Sequence, residues 1–415
     1  MKKNLLTIAA TLFLAGAFWA LPATAKVQGP CADCHTMHNT DGNGNVMNDN
    51  VPQRALTRGG CVGCHTGTNS NLIGTPGTPG ISGQPIPYVM QTTEPTYGPD
   101  YTAAGALSNV GNTLAGGNFY WVATGGGGED TMGHNVVTEE LCTADGTLGN
   151  TPPGFMPTWG GAGIGSEWAA NQLTCAGTYG CHGAHAYADD FADISGAHHA
   201  DDSAGIDGST VGKSFRFCYK ILGQEYNTPG NAWEYQPTAS AHNQYKGYDR
   251  TSAESAPVWG NAAGGDTINF FCGECHGLYH SSATGDTAVT GERGGVARSN
   301  PIDQDPWLRH PSDYDMGNTI AGSEYRSYYG MDGTTVGAYN PVAPVASADV
   351  TSVLTSISFD NDTAIVNCIS CHRAHGSPYA DLLRWDYKYM VAGAGTPDGW
   401  NNKGCFACHT TKDKG

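Results

Sequence analysis

The chain is 415 residues long and acidic, with 20 Lys+Arg against 38 Asp+Glu and a formal net charge of −18. That balance excludes nucleic acid and anionic membrane surfaces as natural partners. With 59 glycines, 22 prolines and only 14% charged residues, long amphipathic helices have little sequence to form on, yet 20 tyrosines and 9 tryptophans are too many for a disordered chain. The expected fold is mostly irregular, with short helices and few short strands, around a core that packed helices and sheets do not supply.

Residues 1–25 read as a signal peptide. Lys2 and Lys3 precede an apolar run from Leu5 to Leu21, and Ala23-Thr24-Ala25 is a small-residue cleavage site. The run is short for a membrane span and no later segment is apolar enough, so no transmembrane segment is expected. Residues 26–415 then form a single continuous domain. It is exported to the extracellular space or outer cell surface, with the periplasm as the alternative.

In chain order, C-x-x-C-H occurs at Cys31–His35, Cys61–His65, Cys272–His276, Cys368–His372 and Cys405–His409. The spacing puts two thiols where they add to the two vinyl groups of one porphyrin, and the following histidine ligates the iron from beneath the ring. A thiol redox pair or a zinc ribbon has no reason to place histidine after every second cysteine. The pairs Cys31 and Cys34, Cys61 and Cys64, Cys272 and Cys275, Cys368 and Cys371, and Cys405 and Cys408 are therefore expected to attach haem c. His35, His65, His276, His372 and His409 are their proximal ligands.

A sixth motif is broken: Cys175 is separated by five residues from Cys181-His182. Either the two cysteines form a disulfided loop, giving five haems, or Gly177 and Gly180 let the spacer bulge while both thiols reach one porphyrin, giving six. His182 and His185 repeat the pattern around the intact motifs, which favours six, with His182 proximal. Cys142 and Cys218 remain, and in an oxidising compartment they are expected to pair as a disulfide.

Six irons need six distal ligands. His38, His185, His280 and His375 each follow a proximal histidine by three or four residues and share its side of a short helix. None can loop over its own haem, but each can reach a neighbouring iron. His134 and His310, isolated in loops, complete the set. His198, His199 and His242 are spare, and GAHHADD reads as a solvated acidic loop. The intervening inserts are rich in turn residues, such as IGTPGTPG from Ile73. A helix is predicted in GSPYADLLRWDYKYM, capped by Ser377 with Pro378 at its first position and with Leu383, Tyr387 and Met390 on one face. Alternation over 350–359 predicts a short strand.

The series CHTMHN, GHNVV, NQLTC…CHGAHG, YKILG, CGECH…H, LRHP, NCISCHRAHGS and CFACH, in that order, resembles the OmcS-like family of hexahaem, filament-forming, outer-surface c-type cytochromes. The resemblance covers nearly the whole mature chain. It implies two histidines on every iron, sparse secondary structure and subunits polymerised head to tail into a wire of stacked haems. It also implies that His38 ligates the haem of Cys368, Cys371 and His372 in the adjacent subunit. The spacer at Cys175–Cys181 and the added Cys142 and Cys218 depart from the family pattern. A haem with two histidines has no open position for substrate, so the expected function is extracellular electron transfer rather than catalysis. Partners would be copies of the chain, other multihaem cytochromes and acceptors such as metal oxides. A monomeric periplasmic or surface carrier, and a multihaem reductase with one open haem, are the alternatives.

Overall fold

A computed structural model describes residues 30–40, 52–67, 86–98, 113–123, 129–136, 151–155, 172–200, 205–226, 237–249, 265–277, 312–318, 337–390 and 404–408, with isolated residues and short pieces between them. The predicted signal peptide, Cys142, His280 and His409 lie outside the described residues.

Helix occurs mainly where the thiol motifs require it. Among the described residues, α1 (Cys31–Cys34), α2 (Cys61–Cys64), α3 (Tyr120–Ala123) and α4 (Asp190–Asp193) are single turns. The helix α5 (Ile268–Cys275) is longer, and α6 (Cys368–Cys371) is again one turn. α5 starts where the Thr267 side chain accepts from the Phe270 amide at 3.1 Å, an N-cap bond. It runs directly into its cysteines.

The strands are two or three residues long. A tight parallel pair joins β1 (Thr174–Ala176) to β2 (Gly180–His182) within the broken motif. A five-stranded sheet uses β3 (Gly223–Gln224), β4 (Gln244–Lys246), β5 (Tyr314–Asp315), β6 (Ala346–Ser347) and β7 (Ile365–Val366), in the order β5-β7-β6-β4-β3. β4 and β6 run parallel with Tyr245 opposite Ala346, while β6 and β7 are antiparallel with Ala346 opposite Ile365. Side chains alternate across this sheet as strand geometry dictates. Ala346 and Ile365 pack with Phe215, Ile221 and Ile268 on one face. Val345, Ala364 and Val366 pack with Tyr328, Tyr339 and Phe359 on the other. The helices α5 and α6 are held side by side because the Asn269 side chain of α5 accepts from the Cys368 amide at 2.6 Å, and its amide nitrogen donates to the Val366 carbonyl of β7 at 3.3 Å.

Two expectations need correction in part. The segment after the fifth motif is not a helix but two 3₁₀ turns, Ala380–Leu382 and Tyr387–Tyr389, with Leu383 extended between them. Its backbone bonds outward: Leu382 carbonyl accepts from the Arg373 amide and Cys371 carbonyl from the Arg384 amide, both at 2.8 Å. Asp381 and Leu382 take left-handed φ of 59° and 57°, which no α-helix tolerates. Tyr387 is consequently exposed rather than sharing a buried face. The strand expected over 350–359 is reduced to Ser356–Ile357, paired with Gly337–Ala338.

Candidate haem centres

Four thiol pairs are built alike. In α1, α2, α5 and α6 the amide of the motif histidine donates to the carbonyl of the first cysteine at 2.8–3.0 Å, closing one helical turn. Cysteines three apart then share one side of that turn. Cys405 and Cys408 reach a similar spacing on a 3₁₀ turn, Gly404–Ala407. In the broken motif β1 and β2 pair with Thr174 opposite Gly180 and Ala176 opposite His182, which sets Cys175 beside Cys181 on one face. The spacer turns at Gly177, whose φ is +96°. Cys175 and Cys181 form no disulfide. Burial pushes the Cys64 thiol up to about 11 and those of Cys181 and Cys371 up to about 12. These are neutral thiols in apolar surroundings, unlike the acidified cysteines that bind metal directly.

The histidine of each described motif is oriented by the same contact. Its Nδ1 meets a backbone carbonyl: His35 with Ala55 at 3.0 Å, His65 with Pro87 at 2.9 Å and His182 with Arg216 at 2.8 Å. His276 meets Pro153 and His372 meets Asp381, both at 2.7 Å. A carbonyl can only accept, so Nδ1 carries the proton and Nε2 keeps its lone pair for a metal. His134 has the same arrangement, with the Ala374 carbonyl 2.5 Å from Nδ1. Burial holds His276 down to about 4 and His375 down to about 3, so both are neutral, the ligating form.

Imidazoles face one another in pairs. His182 lies opposite His375 with ring centroids 6.4 Å apart, and His276 lies opposite His134 at 6.1 Å. His35 lies opposite His199 at 6.2 Å, and His65 opposite His198 at 6.4 Å. These gaps are too wide for contact stacking. With about 2.0 Å for each metal–imidazole bond and about 1.1 Å from ring nitrogen to centroid, two imidazoles sharing one iron stand roughly 6.2 Å apart. The donor set therefore fits haem c at the sites of His35, His65, His182 and His276: a thiol pair, a tethered imidazole and a second imidazole at bridging distance. Once bound, such a haem supplies one reversible electron.

The other histidines have different settings. His38 and His310 are exposed. His185 is buried, with Nδ1 3.5 Å from the Glu274 carboxylate and its ring 6.5 Å from Phe271. Both nitrogens of the fully buried His242 face carbonyls, Asn243 at 2.7 Å and Leu354 at 2.8 Å, and its ring stacks on Tyr339 at 3.5 Å. His198 and His199, set aside in the sequence as a surface loop, sit across from two motif histidines. Their signal in the sequence was a His-His dipeptide just after a glycine. Cys218 is a buried thiol in the apolar cluster of Phe215 and Ile221. Its expected disulfide partner, Cys142, lies outside the described residues.

The thiol sites are also neighbours of one another. Cys175 lies beside Cys61, and Cys368 beside Cys272. Cys34 lies close to Cys64, Cys181 to Cys272, and Cys371 to Cys405. The motifs thus follow one another in space in the order of the sequence. Among the described residues no helix is long and apolar enough to cross a membrane.

Comparison with known proteins agrees with this chemistry. A family model described as a doubled CXXCH motif matches residues 363–414. The chain is 27% identical to the C-type cytochrome OmcS of Geobacter sulfurreducens, over 94% of this chain and 87% of that protein. Two solved structures, an Outer Membrane Cytochrome S filament and OmcS nanowires from the same organism, align at TM-scores of 0.43 and 0.42 with 23% identity. They cover 93% of this chain and 94% and 95% of theirs. Its doubled CXXCH match and its near full-length similarity to a C-type cytochrome make the chain similar to multihaem c-type cytochromes. More narrowly, it is OmcS-like.

Proposed function

We propose that the chain carries six haem c groups as a continuous electron conduit and assembles with its own copies into a filament for extracellular electron transfer. The observation that carries this reading is that each thiol site from Cys34 to Cys408 lies near the next one along the sequence. Electron tunnelling falls steeply with distance, so a conduit needs every neighbouring site close and none missing. A catalyst needs only one well-placed site and an open iron.

Two facing pairs support saturated coordination. His375 serves the site of Cys175, Cys181 and His182, and His134 that of Cys272, Cys275 and His276. With both axial positions filled by histidine, substrate has no access to iron, and low-potential electron transfer is what remains. The tether on His182, the same as at the intact motifs, favours a haem at the expanded site. His310 and His280 are the candidates for the terminal site of Cys405, Cys408 and His409. His38 of a neighbouring copy is the candidate for the site of His372, since both residues reach the surface. The porphyrins then form much of the core that the short helices and strands do not supply. The similar solved structures, titled as a filament and as nanowires, together with the signal peptide expected from the sequence, favour assembly outside the cell.

Intact mass and absorption spectroscopy of the exported protein test this reading. Six haems, all low-spin, with little change on adding carbon monoxide after reduction, are expected. Five haems would return Cys175 and Cys181 to a disulfide. A stable high-spin haem that turns over nitrite or hydroxylamine would replace the conduit with a reductase. Electron microscopy of secreted material decides between filament and monomer.

A further inference from the structure

We infer that His198 and His199, adjacent residues of one turn, are the distal iron ligands of two different haems: His199 for the site of Cys31, Cys34 and His35, and His198 for the site of Cys61, Cys64 and His65. This rests on the haem reading above and extends it to residues that the motif spacing leaves without a role.

The distances carry the assignment. His199 stands 6.2 Å from His35 and His198 stands 6.4 Å from His65, centroid to centroid. These match the separations of His134–His276 and His182–His375, at 6.1 and 6.4 Å. Rings that merely stack come far closer, as His242 does on Tyr339 at 3.5 Å. His35 and His65 each commit Nδ1 to a carbonyl, Ala55 and Pro87, so the nitrogen left to each is Nε2.

The backbone explains how neighbouring residues serve two sites. His198 and His199 end a 3₁₀ turn, Ala197–His199. Successive residues of a 3₁₀ turn diverge by about 120°, so they cannot meet one iron but can address two. The two sites to be addressed are adjacent, with Cys34 close to Cys64.

The turn is held from three sides. Ala197 is 1% exposed and its amide donates to the Ile194 carbonyl at 3.0 Å. Ala200, one residue beyond the pair, packs so closely on Gly212 that a Cβ there would meet the Ala200 methyl at 2.1 Å. Upstream, the buried Asp193 carboxylate accepts the amides of Gly177, His185, Ala186 and Tyr187, fastening the segment to the third motif. A further link joins the two halves of the first site. Arg54 donates to Asp189 at 3.2 Å, Arg54 precedes the Ala55 that fixes His35, and Asp189 caps the helix α4 that leads to His199. Ring contact with Phe217, at 5.5 Å, orients His198.

One consequence concerns His38. If the first site takes both ligands from its own chain, His38 is not needed there and is free to act outside it.

The test is substitution in the full exported chain. His199→Ala and His198→Ala should each keep all six haems by intact mass, yet each should convert one haem to high-spin and bind one carbon monoxide on reduction. Added imidazole should restore the low-spin form. The double variant should show two such haems. His199→Met and His198→Met cover the case in which alanine prevents maturation. Each should raise the potential of one haem, because a methionine ligand does so. His242→Ala serves as control: it should lower thermal stability and leave the spin state unchanged. Unaltered spin state and carbon monoxide binding in both alanine variants, or unaltered potentials in both methionine variants, overturns the assignment. The readout is the difference from the parent chain. A parent already part high-spin would sink the all-bis-histidine reading and leave this assignment to be judged by the increment.

Discussion

At the scale of single residues, the C-x-x-C-H motifs were legible in the sequence, but the orientation of their histidines was not. The carbonyls of Ala55, Pro87, Pro153, Arg216 and Asp381 tether their histidines from 9 to 123 residues away. A backbone carbonyl has no side-chain signature, so no pattern in the sequence could name them. The pairing of histidines was hidden for the same reason: His375 and His182 meet only because the folded chain returns. One buried acid outside the haem sites makes a separate prediction. Asp315 is 2% exposed and its Oδ2 has no hydrogen-bond partner, while Oδ1 accepts from the Gly317 amide. Burial pushes its carboxyl up to about 6, with Asp249 and Asp362 adding to the shift. A carboxyl raised on folding stabilises the protein fully below its unfolded value, about 4, and loses that contribution as pH rises through the folded value. Thermal melting of the parent should therefore decline between pH 4 and about 6.5 more steeply than that of Asp315→Asn, which keeps an acceptor for Gly317. Parallel melting profiles would show that Asp315 ionises freely in the folded chain.

At the scale of elements, the sequence anticipated sparse, short helices and strands, and failed where tertiary bonds outcompeted local propensity. Ser377 and Pro378 look like a helix start, yet the Ser377 hydroxyl donates to the Tyr379 and Leu383 carbonyls instead of opening a helix. The cause lies in Arg373. Its buried guanidinium donates to the carbonyls of Leu114, Ala115 and Gly98 and its Nε to the Tyr97 hydroxyl, pinning the His372–His375 segment to a distant part of the chain. Arg373→Ala leaves those carbonyls buried without donors and should cost on the order of 3 kcal/mol, read as a lower melting temperature with haem content intact. Arg373→Lys should recover only part of it, because a point charge cannot span three carbonyls. Unchanged melting in the alanine variant would remove the guanidinium from this account. The expanded motif depends on a different device. A Cβ at Gly180 would fall 2.3 Å from the Ala176 carbonyl carbon, so no side chain fits where β1 and β2 pair. Gly180→Ala should therefore separate Cys175 from Cys181 and yield a chain one haem lighter by intact mass. A variant with full haem content would show that the strand pairing is not what brings the thiols together.

At the scale of the whole molecule, the series of haem sites must end somewhere, and its ends decide whether the conduit stops at one chain. His38 sits beside the first site, exposed, in a turn where it and Asn39 take left-handed φ of 63° and 57°. Such a conformation costs of order 1 kcal/mol or more for each non-glycine residue and persists only where surrounding contacts hold it. Here those contacts are the buried Asn39, the Thr40 hydroxyl on the Met37 carbonyl at 3.2 Å, and the Thr36 amide on the Leu56 carbonyl at 2.6 Å. They hold Met37, 78% exposed, and His38 outward together. Near the other end, His372 reaches the surface with Nδ1 tethered to Asp381, so its Nε2 side is the one left for iron. In the assembly proposed above, a histidine offered at one end and an iron site at the surface near the other would make a heterologous contact, which repeats into an open filament unless the rotation closes a ring. Joining subunits and completing the coordination of the His372 haem then become one event. His38→Ala should leave six haems attached, abolish filaments in electron micrographs, and turn one haem high-spin in the resulting monomers. Added imidazole should return that haem to low-spin without restoring filaments, since a free ligand fills the iron but does not bridge two chains. Filaments persisting in the variant with every haem low-spin would mean that the subunit contact is made elsewhere and that His38 is only a surface residue.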